Sequence, residues 1–124
     1  YKKINYKLSN YGTIKLYKGY TEKTLPEFLK KKIFVDFIFI DGGHLIKTIE
    51  KDWKYCSKLM GRDSLVIFDD YYLGNKKILS KFGSNKTYKK IKTNIYQKTL
   101  LPFVDEFDKK YYLQRIKMFK VKLK

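Results

Sequence analysis

Two apolar runs that each end in acid constrain this chain more than any other feature. The first, Phe34-Val35-Asp36-Phe37-Ile38-Phe39-Ile40, is closed by Asp41-Gly42-Gly43-His44. The second, Ser64-Leu65-Val66-Ile67-Phe68, is closed by Asp69-Asp70-Tyr71-Tyr72. Apart from Asp36, β-branched and aromatic residues dominate both, the pattern of strands buried on both faces of a parallel sheet. Between them Leu45, Ile49, Trp53, Cys56 and Met60 recur at helical spacing, and Gly61 stands where a C-cap belongs. Strand, crossover helix and parallel strand put both acidic ends on one edge of the sheet, where α/β proteins bind ligands. Asp41, Asp69 and Asp70, with His44, are therefore the candidate site.

The flanking segments extend the alternation. Thr13–Lys18, with Ile14 and Leu16 on one face, reads as a short strand. Thr21 is a candidate N-cap for a helix through Lys31, with Pro26 tolerated only near its first turn. Residues 1–12 show no clear period and suit the tail of a helix. Residues 74–92 are lysine-rich and read as a mobile loop with a short helix. Residues 93–108 read as partly helical, with Pro102 as kink or start. Tyr111–Leu123 reads as a long strand whose apolar phase slips, which predicts a bulge near Met118-Phe119. No repeat or boundary divides residues 1–124, so a single α/β domain with a largely parallel sheet is expected. The chain opens on Tyr1 rather than Met, and an N-terminal truncation is expected.

Composition narrows the function classes. A 44% hydrophobic content is too high for a disordered tail. No apolar run approaches the roughly 18–20 residues of a membrane span. Cys56 is the only cysteine, which excludes an intramolecular disulfide and fits a reducing, cytoplasmic setting. The net charge of +17 invites a nucleic-acid reading. Against it, Arg62 and Arg115 are the only arginines, alanine is missing, and Lys, Ile, Asn, Tyr and Phe abound, as AT-rich coding would produce. The lysines are also scattered, so a solvated surface explains them better than a groove for nucleic acid. Such a surface can still steer an anionic ligand.

Three carboxylates at adjacent strand ends would repel one another, and a hard divalent cation such as Mg²⁺ would relieve that. His44, three residues after Asp41, could take a proton from a hydroxyl in the same cleft. Each residue also has a plainer reading: Asp41 as a helix cap, Asp69-Asp70 as a turn, His44 as a surface residue. Their joint occurrence favours function.

The ordered set Phe39-Ile40-Asp41-Gly42-Gly43-His44 and Ile67-Phe68-Asp69-Asp70-Tyr71 resembles the fourth and fifth strand ends of class I S-adenosylmethionine-dependent methyltransferases. Within that family the pattern resembles metal-dependent O-methyltransferases of sugars and natural products. Ile14–Thr21 through Leu25-Pro26-Glu27-Phe28 resembles that family's third strand and following helix, and Ile116–Leu123 its antiparallel last strand. The likeness implies a partial Rossmann-like fold and Mg²⁺ held by Asp41, Asp69 and Asp70. It implies His44 as general base, and S-adenosylmethionine contacts from Tyr20, Thr21, Asp41 and Gly42. It also implies a small-molecule or sugar acceptor, and it admits a homo-oligomer. The sequence departs from the family pattern at Gly43 and Tyr20, where acidic or polar residues are common.

No Gly-x-Gly loop occurs anywhere in the sequence. The first strands of the family fold are therefore expected to be missing, and the chain to act as part of a larger one and to bind the cofactor poorly alone. Two rival readings stand beside this one. A metal-dependent nucleotide-sugar glycosyltransferase would also end a buried strand in Asp69-Asp70. A non-catalytic basic module would use its lysines and tyrosines on nucleic acid.

Overall fold

The computed structural model describes residues 12–74, 76–102, 105–106 and 115–124. The expected helix tail ahead of Gly12 and the start of the last strand at Tyr111 lie outside them.

Helix α1 spans Thr21–Leu29. Tyr20, not Thr21, holds the cap position, in extended conformation and with no side-chain cap. Thr21 is instead the first helical residue, which frees its hydroxyl to reach Asp52. Pro26 lies inside the helix, beyond the first turn where it was expected. Strand β1 is Val35–Ile40, and helix α2, Ile46–Cys56, runs through a 3₁₀ turn at Ser57–Leu59 into β2, Met60–Leu73. Gly61 is thus a strand residue and not the helix C-cap, which is Ser57. Two short helices follow, α3 (Lys76–Leu79) and α4 (Asn85–Lys90), where one was expected. Strands β3 (Tyr96–Leu100), β4 (Asp105–Glu106) and β5 (Arg115–Leu123) complete the described chain.

The sheet order is β1-β2-β5-β3, with β4 also paired to β5. β1 and β2 are parallel, from Val35 opposite Met60 to Ile40 opposite Phe68, as the βαβ reading requires. Every other pairing is antiparallel, so the sheet is mixed rather than mostly parallel. Residues 96–100, expected to be helical, form β3 against β5. Thr13–Lys18 forms no strand; among the described residues it pairs with nothing in the sheet, and its Ile14 and Leu16 stay exposed. Alternation alone cannot hold a strand that has no ladder to join.

One face of the sheet is covered. Phe68 and Phe119 are directly opposite across β2 and β5, stacked with centroids 4.4 Å apart. Trp53 of α2 packs on Phe68 and Tyr88 of α4 on Phe119. Ile40, Ile49, Cys56, Val66, Ile91 and Val121 fill the same core. The other face is open among the described residues. Phe37 and Phe39, in register with Leu65 and Ile67, are 54% and 46% exposed. The expectation that β1 is buried on both faces therefore fails, because apolar sequence shows what a strand can bury and not what covers it.

β2 does not stop at its acidic pair. Phe68 faces Phe119 and Tyr71 faces Lys117, so Asp69 and Asp70 together stand opposite the single residue Met118. The slip foreseen near Met118-Phe119 is real, but the extra residue is on β2. Asp70 takes φ 60°, a left-handed conformation that aspartate accepts more readily than most side chains.

A candidate catalytic pair beside a cofactor-sized groove

The last rung of the parallel ladder joins Ile40 to Phe68, which leaves Asp41 and Asp69 as the next residues on neighbouring strands. From there the acids take different tasks. Asp69 accepts the backbone N–H of Asp70 at 2.8 Å, satisfying a donor at the bulge. The bulge turns the Asp70 carboxylate inward, where 7% of its side chain is exposed. Its Oδ2 lies 2.6 Å from His44 Nδ1, and the Tyr72 hydroxyl approaches its Oδ1 at 3.5 Å. The His44 side chain is 62% exposed, so one ring nitrogen is bonded inward and the ring reaches solvent.

The segment before α4 clamps this pair. Gly83 N–H donates to the His44 carbonyl at 2.8 Å, and Ser84 N–H to the Asp70 carbonyl at 2.9 Å. Gly83 has φ +94°, and a Cβ there would lie 2.4 Å from Tyr72 Cδ2 and 2.9 Å from the Asp70 carbonyl oxygen. Only glycine fits this approach. Burial pushes the Tyr72 phenol up to about 12, helped by the Asp70 charge and hydrogen bond and then by Asp69. Tyr72 therefore stays a hydrogen-bond donor at neutral pH and is no base.

Thr21, Asp41 and Gly42 share one open groove of about 490 Å³ with Leu25, Ile38, Phe39, Ile40, Asp52 and Cys56. Tyr20, itself 78% exposed, lines a smaller neighbouring recess of about 140 Å³ that shares Thr21 and Asp52. Asp52, absent from the candidate site residues above, is 4% exposed. Thr21 Oγ1 donates to its Oδ1 at 2.5 Å, tying α1 to α2 across the groove. Its signal was its place: three residues after Ile49 and four before Cys56, a charge on the buried face of an amphipathic helix. Burial raises the Asp52 carboxyl above its ordinary value, against the lowering effect of the Thr21 hydrogen bond. Burial, then the Asp52 charge, pushes the Cys56 thiol to about 12, so that sulfur is inert packing.

Among the described residues, no group of three or more His, Cys, Asp or Glu side chains is gathered to hold a metal ion. Asp41 lines the groove, while Asp70 is spent on His44 and Tyr72. The expected Mg²⁺ triad of Asp41, Asp69 and Asp70 is thus not assembled. The groove does suit an adenosyl group: amines and ribose hydroxyls are donors, and Asp41, Asp52 and the Thr21 hydroxyl offer acceptors beside an apolar wall. No helix of the described residues is long and apolar enough to cross a membrane.

A family model described as "Methyltransferase domain" matches residues 4–71, the stretch that carries α1, β1, α2 and β2 through the acidic pair. No curated protein matches the chain.

Proposed function

The chain belongs to the methyltransferase-domain family of class I S-adenosylmethionine-dependent enzymes, and from this we propose that it methylates a hydroxyl of a small molecule or sugar with His44 as the base. The observation that carries the reading is the 2.6 Å contact of His44 Nδ1 with Asp70 Oδ2. A carboxylate only accepts, so the bonded Nδ1 carries its hydrogen and the lone pair is left on Nε2, which can face an acceptor. When bound, the cofactor supplies an electrophilic methyl group on a positively charged sulfur. The acceptor oxygen must lose its proton as it gains the methyl, and Nε2 of His44 receives that proton. Asp70 then faces an imidazolium and stabilises it, while Tyr72 donates to the same carboxylate and keeps it oriented. Thr21, Asp41 and Gly42, joined by Asp52, would hold the adenosyl portion, with Tyr20 at the rim. No donor set for Mg²⁺ is gathered among the described residues, and the ion enters no step.

The test uses a labelled methyl donor and a panel of catechol and sugar acceptors. His44→Gln should lower kcat about 100-fold or more, in the range of lost general-base catalysis, with cofactor affinity held. Asp41→Asn and Thr21→Val should instead weaken cofactor binding. Undiminished kcat in His44→Gln would remove the base; unaltered cofactor affinity in both groove variants would remove the groove.

A further inference from the structure

A second groove lies on the far side of the first turn of α2, and neither the His44–Asp70 pair nor the adenosyl groove accounts for it. It holds about 440 Å³ and is lined by Leu45, Ile46, Lys47, Glu50, Ser80, Lys81, Lys86 and Lys90. Four lysines line it with one carboxylate, and that carboxylate, Glu50, is already bonded to Lys90 at 2.7 Å. Lys47, Lys81 and Lys86 have no acidic partner among the described residues. The adenosyl groove is lined by two carboxylates, Asp41 and Asp52, and by no lysine, while Lys47 and Lys51 line the recess at its Tyr20 rim.

The lysines are set on fixed backbone. Ile46 N–H donates to the Lys81 carbonyl at 3.2 Å, Gly83 N–H to the His44 carbonyl at 2.8 Å, and Leu45 bridges Phe82. Lys86 and Lys90 lie four apart on α4, so they share a face. Between them Leu45, 53% exposed, and Ile46 make an apolar floor directly after His44 in the chain. Like charges gathered without counter-charge repel, and an anion entering there would relieve the repulsion.

We propose that this groove binds a small anion carrying an apolar body, its phosphate or carboxylate among Lys47, Lys81 and Lys86 and its body on Leu45 and Ile46. Resting on the methyl-transfer reading, such an anion is also the class of acceptor presented to His44. The probe is 4-hydroxyphenyl phosphate, with hydroquinone as its neutral counterpart, titrated into the full chain without cofactor and followed by ligand-observed NMR. The phosphate should bind at least about tenfold tighter than hydroquinone. Lys81→Gln/Lys86→Gln should remove that advantage. Lys120→Gln/Lys122→Gln, which deletes equal charge from a shallow recess beside Gln97 and Thr99, should change it less than twofold. Equal losses in both double variants would reduce the effect to overall charge and overturn the site, as would equal binding of the two probes. With cofactor added, faster methylation of the phosphate supports the acceptor class, and faster methylation of hydroquinone overturns it. Groove binding that holds while neither probe nor the earlier acceptor panel is methylated would instead count against the methyl-transfer reading, leaving the anion site standing.

Discussion

His44 Nδ1 lies 2.6 Å from Asp70 Oδ2, which bonds a largely exposed imidazole to a buried carboxylate. The contact exists because β2 spends two residues, Asp69 and Asp70, against Met118 alone. Without the bulge, Asp70 would continue the strand alternation. With it, the backbone turns left-handed at Asp70, and the carboxylate swings under the turn that carries His44. A strand irregularity thus supplies the orientation that the proposed base role of His44 requires.

Asp70→Asn tests orientation apart from fold. Asparagine tolerates the left-handed conformation and keeps the volume, so the melting temperature should move little. The amide cannot stabilise an imidazolium as a carboxylate does, and it can present an N–H to Nδ1, favouring the wrong tautomer. Expected is a fall in kcat of about tenfold or more, with the KM for cofactor unchanged. A purely structural Asp70 would instead lower stability and leave kcat per folded molecule intact.

Gly83→Ala should be among the costly single substitutions. Its Cβ would collide with the Tyr72 ring and the Asp70 carbonyl while the residue sits at φ +94°. Overpacking and backbone strain together predict about 2–4 kcal/mol of destabilisation in urea unfolding. Gly74→Ala is the internal control. It has φ +88° with nothing within 4 Å of the new Cβ, so it should cost about 1 kcal/mol. Equal losses at the two sites would mean that the approach to Tyr72 and Asp70 contributes nothing.

The βαβ unit was legible because its apolar runs are long, its helical stripe is regular, and Asp41 and Asp69 follow paired residues of the ladder. What the sequence concealed depends on partners. Tyr96–Leu100 has only Tyr96 and Leu100 as apolar residues on one face, a weaker pattern than Ile14 and Leu16 give Thr13–Lys18; yet the first has β5 to pair with, and the second pairs with no strand among the described residues. The acids could be located but not apportioned. A bulge at Asp69-Asp70 has no composition of its own, and it decides that Asp70 meets His44 instead of Asp41. Asp52 was hidden because a charge on a helix is ordinarily on the wet face, and only the hydroxyl of Thr21, 31 residues earlier, makes its burial tolerable.

The two faces of β1 and β2 predict opposite responses to the same residue type. Phe37 projects from the open face and is 54% exposed, whereas Phe68 is fully buried between Trp53 and Phe119. Phe37→Lys should change stability by less than about 0.5 kcal/mol and improve solubility. Phe68→Ala should cost about 3–5 kcal/mol. Both are read from the midpoint of urea unfolding; a Phe37→Lys loss near that of Phe68→Ala would show that the open face is covered in solution.

Asp52 predicts the direction of the acid–base dependence of stability. Its folded-state carboxyl is raised above the ordinary 3.8, first by burial. A raised carboxyl favours the neutral form in the folded chain, so its contribution is fully present below the unfolded value and is lost as pH rises through the folded one. The Cys56 thiol, at about 12, stays neutral over that window, and Asp41 on the same groove is common to wild type and variant. Asp52→Asn keeps an oxygen to accept from Thr21 Oγ1 but cannot ionise. The variant should therefore gain stability relative to wild type as pH rises above the ordinary carboxyl value of 3.8, and hold that gain once pH has passed the raised folded-state value. Denaturation midpoints of both proteins across that range measure the difference; a gain that grows toward acid would reverse the sign and place Asp52 as a stabilising charge.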